Sequence, residues 1–150
     1  MPATSLNQRR TLKTSHRATD SVNTSRRSVL VVEDHYDTRV MLRTMLELWH
    51  GIAVVEAENG AMAIALATNV HVDLILMDTD LPVVDGYAAT SRIREHTSTH
   101  EIPIVMMSGH AEPAAQRRAF AAGCTEYLVK PFSMHGFDRL VKRYLYSDES

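Results

Sequence analysis

The sequence predicts an α/β domain built as a doubly wound, five-stranded parallel sheet with helices on both faces. Three observations lead there. From residue 28 onward, short apolar runs alternate five times with longer amphipathic ones, the pattern of successive βα units. The short runs are apolar at consecutive positions, as strands covered on both faces must be. Right-handed crossovers leave few ways to wind five such units with helices on both sides, and strand order 2-1-3-4-5 is the economical one.

The first strand is expected at residues 29–32, followed by a helix over 36–49. Apolar positions between 40 and 48, with Trp49, recur at helical spacing in that helix and are assigned to the core. Gly51 follows where a helix end needs positive φ. A second strand at 53–56 leads to a helix over 60–68 that sets Ala61, Ile64, Ala65 and Thr68 on one face. The third strand, 74–77, reaches a helix over 86–95 through a loop containing Pro82, and the pair Asp85-Gly86 starts that helix. A fourth strand at 104–107 and a helix over 113–121 follow, with Gly123 at the helix end. The fifth strand, 126–129, precedes a closing helix over 133–146 whose apolar face is Phe137, Leu140, Val141 and Tyr144.

At 150 residues the chain is one domain's worth, since a domain takes roughly 100 to 200, so a second full catalytic or DNA-binding domain is not expected. With 45% hydrophobic and 23% charged residues, most of it can build a core. Residues 1–28 are different: they hold ten Ser/Thr, six Lys/Arg and one acid, with few large apolar side chains. Little burial could offset the entropy of ordering them, so residues 1–27 are read as a disordered basic arm, 28–146 as the domain, and 147–150 as a short tail. The body carries ten basic against seventeen acidic residues. The arm lacks aromatics for base stacking, so nucleic-acid binding is not expected of it. The single Cys124 has no internal disulfide partner, and its neighbours Ala121, Ala122 and Leu128 mark it as a small buried hydrophobe. No apolar run approaches the roughly 18 residues of a membrane span and no signal peptide is visible, so the expected compartment is the cytoplasm.

In an open α/β sheet, ligands bind beyond the carboxyl ends of the strands where the strand order reverses, here between strands 1 and 3. The loops that meet there carry Glu33-Asp34 and Asp78-Thr79-Asp80. Carboxylates gathered in this way repel one another, and a hard, partly hydrated divalent cation such as Mg²⁺ relieves that repulsion. Ser108 follows strand 4 and Lys130 follows strand 5. A carboxylate beside a metal, a hydroxyl and an ammonium suits a phosphoryl acceptor, with an acyl phosphate on Asp78 as the product.

At these residues the sequence resembles the receiver domains of bacterial two-component response regulators. The resemblance lies in Val31-Val32-Glu33-Asp34, in the run from Leu76 through Asp78, Leu81 and Pro82 to Asp85-Gly86, in Val105-Met106-Met107-Ser108-Gly109, and in Tyr127-Leu128-Val129-Lys130-Pro131-Phe132. The intervals of 30 residues from Asp78 to Ser108 and 22 from Ser108 to Lys130 look like those of the stand-alone chemotaxis receiver. The similarity spans about residues 28–146. Flavodoxin-like folds, that receiver among them, share the 2-1-3-4-5 order, so the order is not independent of the resemblance.

The resemblance implies that Asp78 is the phosphoacceptor and that Glu33 and Asp34 hold Mg²⁺ together with Asp78 and the backbone carbonyl of Asp80. It implies that Ser108 and Lys130 each bond a phosphoryl oxygen, that the Lys130-Pro131 peptide is cis, and that Tyr127 is an aromatic switch coupled to Ser108. A sensor histidine kinase or phosphotransfer protein would supply the phosphoryl group. A downstream protein would read the result on the face made by the fourth helix, fifth strand and fifth helix. Two positions are less typical of the family. Asp80 adds a charge where a neutral residue is commoner, and His110 stands two places after Ser108; both are expected to tune the phosphoryl lifetime.

Two other classes compete. An aspartyl-nucleophile phosphatase needs a second acid two residues after the nucleophile, which Asp80 provides, and a substrate cap, for which the sequence offers no segment. A non-phosphorylated pseudo-receiver would serve only as an interaction domain, but Asp34, Asp78 and Lys130 are all present. A receiver labelled once per cycle, rather than a turnover enzyme, is the expectation. Only four residues follow Tyr146, so no attached effector is expected there. His35, His71, His96, His100 and His135 show no metal-ligand spacing and are read as solvated or capping.

Overall fold

The structure is a computed structural model that describes residues 26–146. The expectations for residues 1–25 of the arm and for the tail at 147–150 lie outside the described residues. Strands β1 (Ser28–Val32), β2 (Ala53–Ala57), β3 (Leu74–Asp78), β4 (Ile104–Ser108) and β5 (Glu126–Val129) alternate with five helices. These are α1 (Tyr36–His50), α2 (Gly60–Asn69), α3 (Gly86–Glu95), α4 (Pro113–Ala122) and α5 (Met134–Leu145). The strands are all parallel and run in the order 2-1-3-4-5, as the crossover argument predicts. Among the described residues no helix is long and apolar enough to cross a membrane.

Because successive strand residues point to opposite faces, the sheet divides the core in two. On one side Val29, Val31, Leu74, Leu76, Val105 and Met107 meet large side chains of α1 and α5, among them Leu42, Leu46, Phe137, Leu140 and Val141. On the other side Leu30, Val32, Ile75, Met77, Ile104 and Met106 meet mostly small ones from α2, α3 and α4: Ala63, Ala67, Ala89 and Ala119. Cys124 belongs to this second layer, and burial pushes its thiol up to about 11, so it packs as an inert hydrophobe.

Two expectations about the core are corrected. The face of α2 is rotated from the predicted one: Gly60, Ala63 and Ala67 are buried, whereas Ala61 and Ala65 are exposed and Ile64 and Thr68 only partly covered. The cause is close packing against the loop before α3, since a Cβ on Gly60 would lie 2.0 Å from the Val84 carbonyl oxygen. A helix seated that closely must present its smallest residues, not its most apolar ones.

The second correction concerns Trp49, which is 47% exposed, with Met41 and Leu48 also outside the core. A helix of 15 residues is about 22 Å long, while a five-residue strand spans about 17 Å. The last turn of α1 therefore overruns the sheet, and it is His50 that turns inward, its Nε2 2.9 Å from Asp138 Oδ1 and its ring stacked on Tyr146. Gly51 and Gly123 hold the positive φ values that their helix ends require.

Candidate functional site

Parallel pairing brings the carboxyl ends of β1, β3, β4 and β5 to one edge, and the ladder continues one residue past three strands. Glu33 N–H donates to the Ala57 carbonyl at 3.0 Å, Thr79 N–H to Met107 at 3.1 Å, and Lys130 N–H to Ser108 at 2.7 Å. The first residue of each loop is thereby placed as rigidly as the strand itself. Asp78 and Ser108 are the final residues of β3 and β4, so both side chains sit on the sheet rather than on mobile loops. Gly86 lets α3 begin directly against this edge: a Cβ there would stand 2.1 Å from the Asp78 carbonyl oxygen. Asp85 caps the helix by accepting the Ala88 N–H at 2.8 Å.

The charged groups converge as the spacing predicts. Lys130 Nζ lies 3.1 Å from Glu33 Oε1 and 3.3 Å from Asp78 Oδ1. Glu33 is 1% exposed and Asp78 is 4%, while Asp34 opens to solvent. One ligand atom from each of Glu33, Asp34, His35 and Asp78 falls within 4.8 Å of the others. His35, read from the sequence as solvated or capping, is both exposed and at the N-cap position of α1, and its Nδ1 also lies 3.2 Å from Asp34 Oδ1. Its proximity to the acids was not legible from ligand spacing, because it adjoins them in sequence instead of recurring at an interval.

Three carboxylates against one ammonium leave the site short of positive charge. Burial, then the hydrogen bond and negative charge of Glu33, pushes the Asp78 carboxyl up to about 7, and Lys130 only partly opposes this. Burial also works against Glu33, but the Asp78 hydrogen bond and the Lys130 charge outweigh it and hold that carboxyl well below its usual range. The pair therefore resists carrying both negative charges, and Asp78 is the group that takes up a proton as pH falls through about 7. Such a site favours a cation that replaces the proton. Its carboxylate oxygens, two of them from buried residues and one open to water, fit a hard, partly hydrated ion such as Mg²⁺.

A second group of residues forms the rim. Ser108 is buried, and its Oγ accepts the His110 N–H at 3.1 Å. The Tyr127 hydroxyl donates to the His110 carbonyl at 2.7 Å, with its ring half buried in the layer that includes Leu81 and Tyr87. Both bonds end on the main chain of one residue. The Asp80 carboxylate, 71% exposed, lies 3.4 Å from His110 Nε2, and Glu112 Oε1 lies 3.6 Å from Nδ1. It stands outside the acidic group around Asp78. Asp80, Tyr87, His110, Glu112 and Arg118 line an open cleft of about 420 Å³, in which the Arg118 guanidinium sits 4.0 Å over the Tyr87 ring. Tyr87, Glu112 and Arg118 were not singled out in the sequence, where nothing distinguishes them from ordinary helix residues. The Lys130-Pro131 peptide is cis.

A family model described as the response regulator receiver domain matches residues 29–143. The chain is 41% identical over 110 residues to the transcriptional regulatory protein ResD of Bacillus subtilis, covering 73% of this chain and 44% of that protein. It thus spans less than half of that relative's length. It is 32% identical over 119 residues to the polar-differentiation response regulator DivK of Brucella ovis, covering 79% of this chain and 96% of DivK. Among solved structures, the receiver domain of the Pseudomonas aeruginosa sensor histidine kinase PA1611 superimposes with a TM-score of 0.75 at 32% identity, over 81% of this chain and 99% of that one. That structure holds a magnesium ion in its active-site cleft.

Proposed function

The chain belongs to the response regulator receiver family, and we propose that it accepts one phosphoryl group on Asp78 in an Mg²⁺-dependent step and thereby switches a partner-binding surface. The observation that carries this reading is the meeting of Asp78, Glu33, Asp34 and Lys130 at the sheet edge, with Lys130 within 3.3 Å of the acceptor carboxylate. An Asp78 carboxylate oxygen forms the bond to phosphorus while the bond from phosphorus to the donor breaks. The donor is a phosphohistidine of a sensor histidine kinase or phosphotransfer protein, the partners with which receiver domains interact. Glu33, Asp34, Asp78 and the Asp80 backbone carbonyl would hold the Mg²⁺, which supplies charge neutralisation for the incoming phosphoryl oxygens. Lys130 pairs with one of those oxygens once the Asp78 carboxylate has become an acyl phosphate, a mixed anhydride that no longer carries the carboxylate charge.

The His110 main chain supports a switch. Ser108 Oγ now accepts the His110 N–H and Tyr127 donates to the His110 carbonyl. When Ser108 turns its hydroxyl to a phosphoryl oxygen, His110 loses one anchor and the Tyr127 bond shifts with it. The surface of α4, β5 and α5 would present the change to a downstream protein in the cytoplasm. Asp80 and His110, paired at the mouth of the site, would set how long the phosphoryl group lasts.

Phosphate-affinity electrophoresis after incubation with acetyl phosphate tests this directly. One retarded band is expected with Mg²⁺, none with EDTA, and none for Asp78→Asn. Labelling that survives EDTA removes the metal from the account. Multiple turnover of a chromogenic phosphate monoester would instead favour the aspartyl phosphatase reading, for which Asp80 is the candidate proton donor.

A further inference from the structure

Glu33 and Asp34 can act together with Asp78 only if the turn after β1 is held in one shape. Arg39, in the first turns of α1, is buried to 8% side-chain exposure, unusual for a guanidinium. One of its terminal nitrogens donates to the Glu33 carbonyl at 2.9 Å. Its Nε donates to Glu56 Oε1 at 3.1 Å and its other terminal nitrogen to Glu58 Oε1 at 3.3 Å. Arg43 fixes the second Glu56 oxygen at 2.8 Å. Since the Glu33 N–H is already bonded to the Ala57 carbonyl, both polar groups of that residue's main chain are tied to neighbouring elements.

We propose that Arg39 is the positioning residue of the Mg²⁺ pocket: by clamping the Glu33 carbonyl to the end of β2, it fixes the turn from which the Glu33 and Asp34 carboxylates approach Asp78. This rests on the function proposed above. The two arginines and two glutamates cancel in charge, so the network acts on the pocket through geometry. Arg39 is buried but its partners reach solvent, Glu56 at 29% and Glu58 at 64% side-chain exposure, and ion pairs open to solvent add little stability, which leaves orientation as what this arrangement supplies. Lysine cannot replace it, because an ammonium lacks the planar fork that reaches a carbonyl and two carboxylates at once.

The test uses the full chain, with Mg²⁺ affinity measured by calorimetric titration and the initial rate of Asp78 labelling measured against Mg²⁺ concentration. Arg39→Lys should weaken Mg²⁺ binding by about 10-fold or more, as loss of an orienting partner does at metal sites. Labelling at saturating Mg²⁺ should stay close to wild type, so the metal requirement moves and the limiting rate does not. Arg43→Ala, which loosens the same network without touching the Glu33 carbonyl, should leave Mg²⁺ affinity unchanged. If Arg39→Lys fails to fold, Glu56→Ala, which removes the oxygen that accepts from Arg39 Nε, takes its place, with a several-fold weakening expected. Wild-type Mg²⁺ affinity in a folded Arg39 or Glu56 variant overturns the proposal, as does equal weakening by Arg43→Ala. A wild-type chain that binds Mg²⁺ but takes no phosphoryl group refutes the phosphoacceptor reading and leaves the positioning role standing.

Discussion

The two edges of the sheet treat charge in opposite ways. At the amino-terminal edge of the strands, polar groups close on local partners. The Arg94 guanidinium donates to the carbonyls of Gly123, His100 and Ile102, while Asp73 accepts the Ser28 N–H. At the carboxyl-terminal edge, Glu33, Asp34 and Asp78 face a single ammonium among the described residues, that of Lys130, and the balance stays open. Both edges have the same strands and the same backbone geometry, so fold alone does not make the difference. What makes it is which edge leaves charge for a metal ion and a phosphoryl group to complete.

If that contrast is right, the largest effect should come from cutting the link between the open edge and the rest of the molecule. Ser108→Ala should still accept a phosphoryl group, but NMR shifts over α4, β5 and α5 should no longer respond to it, because the hydroxyl that connects the phosphoryl group to the His110 main chain is gone. A wild-type response in this variant assigns the coupling elsewhere.

The open balance should also be measurable as stability. The folded-state pKa of Asp78 is raised above its unfolded value, so its contribution favours folding at low pH and is lost as pH rises through about 7. In EDTA, Asp78→Asn should therefore be more stable than wild type at pH 8, with the advantage shrinking toward pH 5. A gain of roughly 4 °C in Tm corresponds to about 1 kcal/mol in a domain of this size. Mg²⁺ should raise the wild-type Tm and not that of the variant. Equal Tm values at pH 8 would mean that the carboxylates are not crowded.

A closed edge should behave differently. Arg94→Ala leaves the part-buried Ile102 and Gly123 carbonyls without their donor and should cost about 1 kcal/mol, read by denaturant unfolding. It should leave Asp78 labelling unchanged below the unfolding transition. A labelling defect in the folded variant would show that the two edges are not independent. The smallest effect is expected at the rim: Asp80→Asn should alter the dephosphorylation rate several-fold, since the charge stands beside His110 but outside the acidic group. A rate equal to wild type would leave Asp80 without a part in the lifetime.

Strand order and the positions of Asp78, Ser108 and Lys130 were legible because crossover handedness and the receiver resemblance point to the same order, and the site residues lie at strand ends or one step past them. The α2 face was not, because the closeness of Gly60 to Val84 is set by another element, and periodicity carries no information on how near a neighbour sits. Trp49 misled for a related reason: its spacing was right, but the sheet ends before the helix does. Arg39 was not singled out in the sequence, since its partners Glu56 and Glu58 lie on a later strand and loop.

The most direct measurement is mass spectrometry of the full chain after acetyl phosphate and Mg²⁺, with borohydride reduction of the acyl phosphate to mark the modified residue. The account predicts one phosphoryl group per chain, located at Asp78 and absent in EDTA. Modification that persists in Asp78→Asn, or that maps to Asp80 or Asp34 in the wild type, would contradict it.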